Sequence, residues 1–350
     1  MRWPTLVFLA VAAWLSLHCY YHSAFDIDLL SYAGNAALAT TQDPVKIHRM
    51  VYDSQPLMPH QLGTDADHAQ ARMLRRRAAD PYESAMYLPY FSVKPLYILA
   101  MDLAHAGGAD VITSSRVVSS LCFFGIAVGV WLYARSWLAI FMLILPEVLY
   151  LGQANEPDGM STMLLLLALW AIFLKNVNMG VLPLILAVWA RPDNAVLCLM
   201  VLVCLSFFGR VELPKTIALI GLTLASVIVI SHFGYGWRSL YFHTFLGGNP
   251  GEVAHFAAAD YLRALAHGGR DVLHSSLPIY GILWAVGLIC GRDPELRTIL
   301  TVVALSSLIH FVIFPNYEPR YYGLFFVVTS ATAIRLISRE LAPKVLAAAP

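Results

Sequence analysis

Residues 3 to 32 read Trp3-PTLVFLAVAAWLSLHCYYHSAFDIDLLS-Tyr32. The first part, Trp3 to Tyr20, is an apolar run about as long as a bilayer core requires, preceded by Arg2. The second part, Ala24 to Tyr32, sets Asp26 and Asp28 where the chain leaves that run. If this part is helical, Asp28 and Tyr32 stand four apart and share one face. An uncleaved span with carboxylates at its exit is expected. A cleaved signal peptide ending near Ala24 is the alternative, but the apolar run is long and no clean small-x-small site follows it. Read outward from here, the chain is all-α, a polytopic transmembrane helix bundle with a reactive cluster at one membrane face.

Composition agrees. The chain is 59% hydrophobic and 13% charged, with a mean hydropathy of +0.65, whereas soluble domains carry roughly a quarter charged residues. A formal net charge of +1 leaves no concentrated basic face, so no nucleic-acid partner is expected. Cys19, Cys122, Cys198, Cys204 and Cys290 lie scattered in apolar runs without metal-ligand spacing, and read as small hydrophobes.

About ten spans follow from the apolar runs. After the first come Arg116–Ala134, Ser136–Gly152, Gly159–Leu174, Met179–Ala190, Ala195–Phe208, Thr216–Phe233, Asp271–Cys290, Leu300–Phe314 and Tyr321–Ser338. Residues 21–115 form a long first non-cytoplasmic loop. Within it Tyr87 to His105, interrupted by Lys94, Pro95 and Asp102, suits a helix lying in the interface. Residues 234–270 form a second long loop. No repeat or linker divides residues 1–350, which read as one domain.

With both termini cytoplasmic, Arg135, Lys175, Arg210, Lys215, Arg292, Arg297, Arg339 and Lys344 fall on the cytoplasmic side. Asp26, Asp28, Glu156, Asp158, Asp193 and Glu318 fall on the other. Ionisable groups at membrane depth cost about 2.5–3.5 kcal/mol each, so they usually line a functional cavity. Each cluster also has a plainer explanation. Asp26 and Asp28 suit the cap of a helix beginning near Leu29, and Glu156-Pro-Asp158 suits a turn and cap. Arg191-Pro-Asp-Asn194 suits a loop with a local ion pair, and Glu318-Pro-Arg-Tyr-Tyr322 an aromatic anchor. The Arg72–Arg77 cluster reads as a solvated or lipid-headgroup-facing helix. His232, His243, His255, His267 and His274 gather in or beside the second loop without the spacing of a tight ligand pair.

Taken together, the motifs resemble a family. Asp28-x-x-x-Tyr32-Ala33 after the first span resembles the acidic motif of polyprenyl-phosphate-dependent membrane glycosyltransferases of the C-type fold. Val93-Lys94-Pro95-Leu96-Tyr97 is similar to their Lys-Pro-Pro-Leu-Tyr segment, especially in the aminoarabinose transferase and protein mannosyltransferase branch. Arg116, Pro157-Asp158 and Ala190-Arg191-Pro192 follow in that family's order. The resemblance covers roughly the first 200 residues. Leu96 stands where the family has a second proline, the acidic pair is Asp-x-Asp rather than Asp-Glu, and the chain is shorter than most members.

The resemblance implies an inverting sugar transfer from a polyprenyl-phosphate donor to a lipid, glycan or protein acceptor. It also implies the inner membrane of a bacterium, with the site on the periplasmic side. Asp28 is the expected general base, with Asp26 beside it; Lys94, Arg191 and Arg320 are the expected donor-phosphate cations. Tyr32, Glu156, Asp158, Asp193, Glu318 and Tyr321 are expected to bind acceptor or to support. No metal is expected; a divalent cation on Asp26, Glu156 and Asp158 is the alternative. Two other classes compete: a transporter or flippase of an anionic lipid or glycan, and a structural membrane subunit.

Overall fold

The computed structural model describes residues 3–55, 69–236, 239 and 257–348. Among them the secondary structure is helical, save one isolated bridge between Ala24 and Ala154. The chain opens with α1 (Trp3–Tyr21), then α2 (Ile27–Ala37), α3 (Pro44–Ser54), α4 (Ala69–Ala79), α5 (Pro81–Phe91) and α6 (Pro95–Ala106). The central part comprises α7 (Val111–Ala134), α8 (Ala139–Leu143), α9 (Pro146–Gln153), α10 (Pro157–Leu174), α11 (Val177–Ala190), α12 (Ala195–Phe207) and α13 (Leu213–Ile230). Four more complete it: α14 (Ala258–Leu273), α15 (Leu277–Cys290), α16 (Pro294–Ile313) and α17 (Gly323–Ala348).

Six of these helices are long and apolar enough to cross a membrane, or seven if the bent pair α14–α15 forms one span. Two further apolar helices, α11 and α12, are shorter. The run read as a span over Ser136–Gly152 is instead broken into α8 and α9. Pro146 has no amide proton and pushes Leu145 into extended backbone, which ends the helix there. The run read as Asp271–Cys290 is also broken, by a 73° bend between Leu273 and Leu277. The second long loop ends in a helix from Ala258 onward; most of its earlier part, with His243 and His255, lies outside the described residues.

Helix starts follow local chemistry. Asp43, Asp80 and Asp293 each precede a proline and accept a hydrogen bond from the amide two residues on. Asp26, Asp110 and Asn176 cap in the same way.

Helices α7 and α10 run parallel and close. A β-carbon at Gly125 or Gly129 would meet the side chain of Met163 or Leu166 at under 3.0 Å, so glycine here leaves room for those side chains between the two helices. Tyr133 on α7 then bonds Thr332 on α17 (3.1 Å), which aligns the third helix with them. The three helices therefore begin at one end of the bundle and finish at the other. By contrast α13 is mostly exposed, with Ile217, Leu222 and Ile228 turned outward, as a lipid-facing helix requires. A second apolar cluster, including Tyr32, Tyr97 and Met101, packs α2, α5 and α6 against the N-terminal end of α7.

Two readings of side chains are corrected. Arg77 does not face solvent or headgroups: it is 1% exposed, donates to Ser31 Oγ (2.6 Å) and lies over the Tyr87 ring. Of the five cysteines only Cys19, Cys122 and Cys198 are buried; Cys204 is half-buried and Cys290 exposed.

Candidate active site at the acidic end of the bundle

The chain leaving α1 is held beside the end of α9. Ala24 N–H donates to Gln153 C=O (2.9 Å) and Asn155 Nδ2 donates to Ala24 C=O (3.1 Å). This pairing brings Asp26 and Asp28 next to Glu156, which are far apart in sequence. Asp26 is the cap of α2: its Oδ1 accepts from Asp28 N–H (2.8 Å). Asp28 caps nothing and stands in the first turn. Glu156 occupies the cap position of α10, yet its side chain makes no capping bond and turns to Arg320 instead.

Arg320 gathers these acids. Its guanidinium lies 3.8 Å from Asp26, 3.3 Å from Asp28 and 2.5 Å from Glu318, and touches Glu156, which is 1% exposed. Burial pushes the Glu156 carboxyl up to about 8, with Arg320 pulling the other way. One of its oxygens, Oε1, has no hydrogen-bond partner among the described residues.

A second set sits alongside. Arg191, at the C-terminal end of α11, donates Nε and Nη2 to Asp193 (3.1 and 2.7 Å) and also binds Asp158. His310 of α16 approaches Asp193 through Nε2 (2.9 Å). Asn194 ties the turn down, donating to Ser161 Oγ (2.7 Å) and Ala187 C=O (2.6 Å). Tyr321 lies between the two sets, its ring 4.9 Å from the Arg191 guanidinium and 5.3 Å from that of Arg320.

Lys94 differs from both arginines. The Ser92-Val93-Lys94 break between α5 and α6 presents its ammonium to the Tyr32 hydroxyl, over the rings of Tyr32 (4.9 Å) and Phe91 (5.3 Å). Among the described residues it pairs with no carboxylate. Burial, followed by repulsion from Arg191, pulls it down to about 8, with Asp28 opposing. Burial likewise raises the Tyr32 phenol.

Asp28, Tyr32, Lys94, Asp158, Arg191, Asp193, Glu318, Arg320 and Tyr321 line one cavity of about 220 Å³. Asp26 and Glu156 do not line it but meet Arg320, which does. Every residue expected at the site thus falls in or against it, whereas Arg116, part of the resemblance, donates to Gln55 Oε1 (2.8 Å) and does not line the cavity. Compared with family models, curated proteins and solved structures, the chain matches none.

Three side chains at the site escape a reading of sequence alone. His310 and Phe91 line the cavity, and Asn194 braces it. The signal for His310 was present, since an ionisable residue inside an apolar span is itself notable. Of the clustered histidines that are described, His267 meets Asp271 (3.2 Å) on an exposed helix face and His274 meets Arg270 C=O (2.8 Å).

As to a metal, Asp26, Asp28 and Glu156 offer ligand oxygens within 4.8 Å of one another. Asp158, expected in that set, is turned to Arg191 instead. The triad's centre is taken by Arg320, whose Nη1 is at ion-pair distance from all three acids. A divalent cation would have to displace that guanidinium, so the donor set fits one only with Arg320 withdrawn.

Proposed function

We propose that the chain is an inverting membrane glycosyltransferase that takes a sugar from a polyprenyl-phosphate donor at the acidic end of the bundle. One observation carries this reading: a carboxylate and an uncommitted ammonium, Asp28 and Lys94, face the same cavity with Tyr32 between them. The acidic end is the extracytoplasmic one in this reading, with the cytoplasm at the end of Arg135 and Lys175.

In the proposed reaction an acceptor hydroxyl attacks the anomeric carbon as the bond from that carbon to the phosphate oxygen breaks. The hydroxyl proton passes to Asp28, and polyprenyl phosphate leaves. Oδ2 of Asp28 accepts from Arg320 (3.3 Å), while Oδ1 makes no hydrogen bond among the described residues and is open to the proton. Lys94 answers the donor phosphate. Arg191 and Arg320 reach that phosphate only by exchanging a carboxylate. They serve first to keep six acids, Asp26, Asp28, Glu156, Asp158, Asp193 and Glu318, together in one place. An apolar groove of about 310 Å³, lined by Trp284, Leu308 and Phe311, adjoins the site through Ser307 and Phe325 and suits the prenyl chain.

The deciding experiment incubates the purified protein in lipid with a labelled polyprenyl-phosphate sugar and a pool of acceptors. Release of polyprenyl phosphate that depends on protein and acceptor supports the reading. The second reading, a transporter or flippase, draws on the 73° break between α14 and α15, since transporters use broken helices. It predicts that the same lipid crosses the bilayer with its sugar still attached.

A further inference from the structure

Helices α7 and α10 end together at the face opposite the candidate site, and α17 passes beside them. Helix α10 has 18 residues, about 27 Å at 1.5 Å per residue, so its far end lies roughly one hydrocarbon thickness away. There the C-terminal ends of α7 and α10, beside the middle of α17, leave a cavity of about 420 Å³. A single water needs only about 10–15 Å³ on this measure. Arg135, Lys175 and Arg335 line it, together with Trp170, Leu132 and Leu174.

Arg335 is engaged: it donates to Tyr133 C=O (3.5 Å) and meets Asp293 (3.4 Å), which is the acidic group at hand. Arg135 and Lys175 are exposed, and neither makes a hydrogen bond or ion pair through its side chain among the described residues. The Lys175 ammonium lies 5.8 Å from the Trp170 ring. Arg135 also has a left-handed backbone, φ 49°, at the end of α7, where glycine would be the favoured residue. A cation stands at the one non-glycine position of the described chain with positive φ.

We propose that this cavity binds the phosphate of an anionic membrane lipid, whose acyl chain lies on Leu132 and Leu174. Basic pockets between spans at headgroup level suit such lipids, and the apolar wall and tryptophan have no use for a free phosphate ion. The plainer explanation is that the cations merely answer the negative ends of two helix dipoles, those of α7 and α10. That explanation gives the lipid no part.

The test is native mass spectrometry and thermal unfolding of the full chain, titrated with phosphatidylglycerol, phosphatidylcholine or inorganic phosphate. The wild-type protein should retain one phosphatidylglycerol in preference to phosphatidylcholine and melt higher with it. Arg135→Gly removes the charge and relieves the backbone, so it should melt higher than wild type without lipid. Combined with Lys175→Gln, it should weaken phosphatidylglycerol binding roughly 30-fold, at about fivefold per cation. Should the double variant not purify, Lys175→Gln alone, at an exposed position, should lose about fivefold. Unchanged preference in a folded variant overturns the proposal. So does equal stabilisation by inorganic phosphate, which would make this a site for a soluble anion.

Discussion

Asp28→Asn separates a proton-accepting role from a structural one, because the cap of α2 is Asp26. In the first helical turn the Asp28 charge is worth about 0.3–1 kcal/mol against the helix dipole. Its ion pair with Arg320, at 3.3 Å and with the carboxylate 23% exposed, adds at most about 1 kcal/mol. Arg320 keeps Asp26, Glu156 and Glu318 in the variant. The fold should therefore lose no more than about 2 kcal/mol, and donor binding should survive. Turnover is a different matter. A general base contributes about 10²–10⁴-fold, so its loss should slow transfer at least a hundredfold, about 2.7 kcal/mol in the barrier. The assay follows release of labelled polyprenyl phosphate by protein in lipid nanodiscs, with donor binding and thermal unfolding on the same samples. Asp26→Asn is the control: asparagine caps as well as aspartate, so its loss should be smaller. An Asp28→Asn protein that turns over within tenfold of wild type refutes the reasoning. If Asp26→Asn is the dead variant, the base is the neighbouring carboxylate.

Other outcomes follow from the same geometry. Lys94→Ala should express normally but bind polyprenyl phosphate at least tenfold more weakly, at the scale of a charge-assisted hydrogen bond; equal affinity would remove Lys94 from the phosphate. In the wild type the ammonium is charged below about 8, so affinity should be full below that pH and decline above it, whereas Lys94→Arg should keep its affinity there. Glu156 is raised from 4.5 to about 8, so the native state holds its proton where the unfolded chain has lost it. Stability should then fall as pH rises from 4.5 to 8, by at most about 1.4 kcal/mol per unit, and Glu156→Gln should flatten that slope in melts across the range. Asp193→Ala leaves buried Arg191 with Asp158 alone and takes the partner of His310, and should cost about 3 kcal/mol, against under about 1 for the more exposed Glu318→Gln. Similar melting temperatures for the two would show that the buried pairs do not brace the site. Reporters fused after Arg135 and near Asn155 should lie on opposite sides of the membrane; the same side for both would contradict the parallel course of α7 and α10.

Much of the site was legible because membrane chemistry is strict. Charge is rare in this chain, so Asp28, Lys94, Glu156, Asp158, Arg191 and Glu318 stand out against apolar runs without any structure. Aspartate-proline pairs at 43–44, 80–81 and 293–294 likewise announce helix starts, since the cap and the missing amide proton act locally. The breaks at Pro146 and after Leu273 were less legible. An apolar stretch reads as continuous whether or not it bends, and a proline in a membrane helix is often tolerated.

Composition and the order of apolar runs were enough, by themselves, to determine a helical membrane chain with its acids collected at span ends, because burial in lipid constrains every residue independently. Partnership was decided only by the tertiary structure. Local chemistry alone lets either Asp26 or Asp28 cap the helix, and only the resemblance favours Asp28 as base; the bond from Asp28 N–H to Asp26 Oδ1 makes Asp26 the cap and leaves Asp28 facing the cavity. The sequence leaves Lys94, Arg191 and Arg320 as three similar cations, yet packing commits Arg191 to Asp158 and Asp193, and Arg320 to four carboxylates, while Lys94 meets a tyrosine. Pairings of this kind join residues as distant in sequence as Arg320 and Asp28, 292 positions apart. No local propensity encodes them, because they follow from which helix ends are brought side by side.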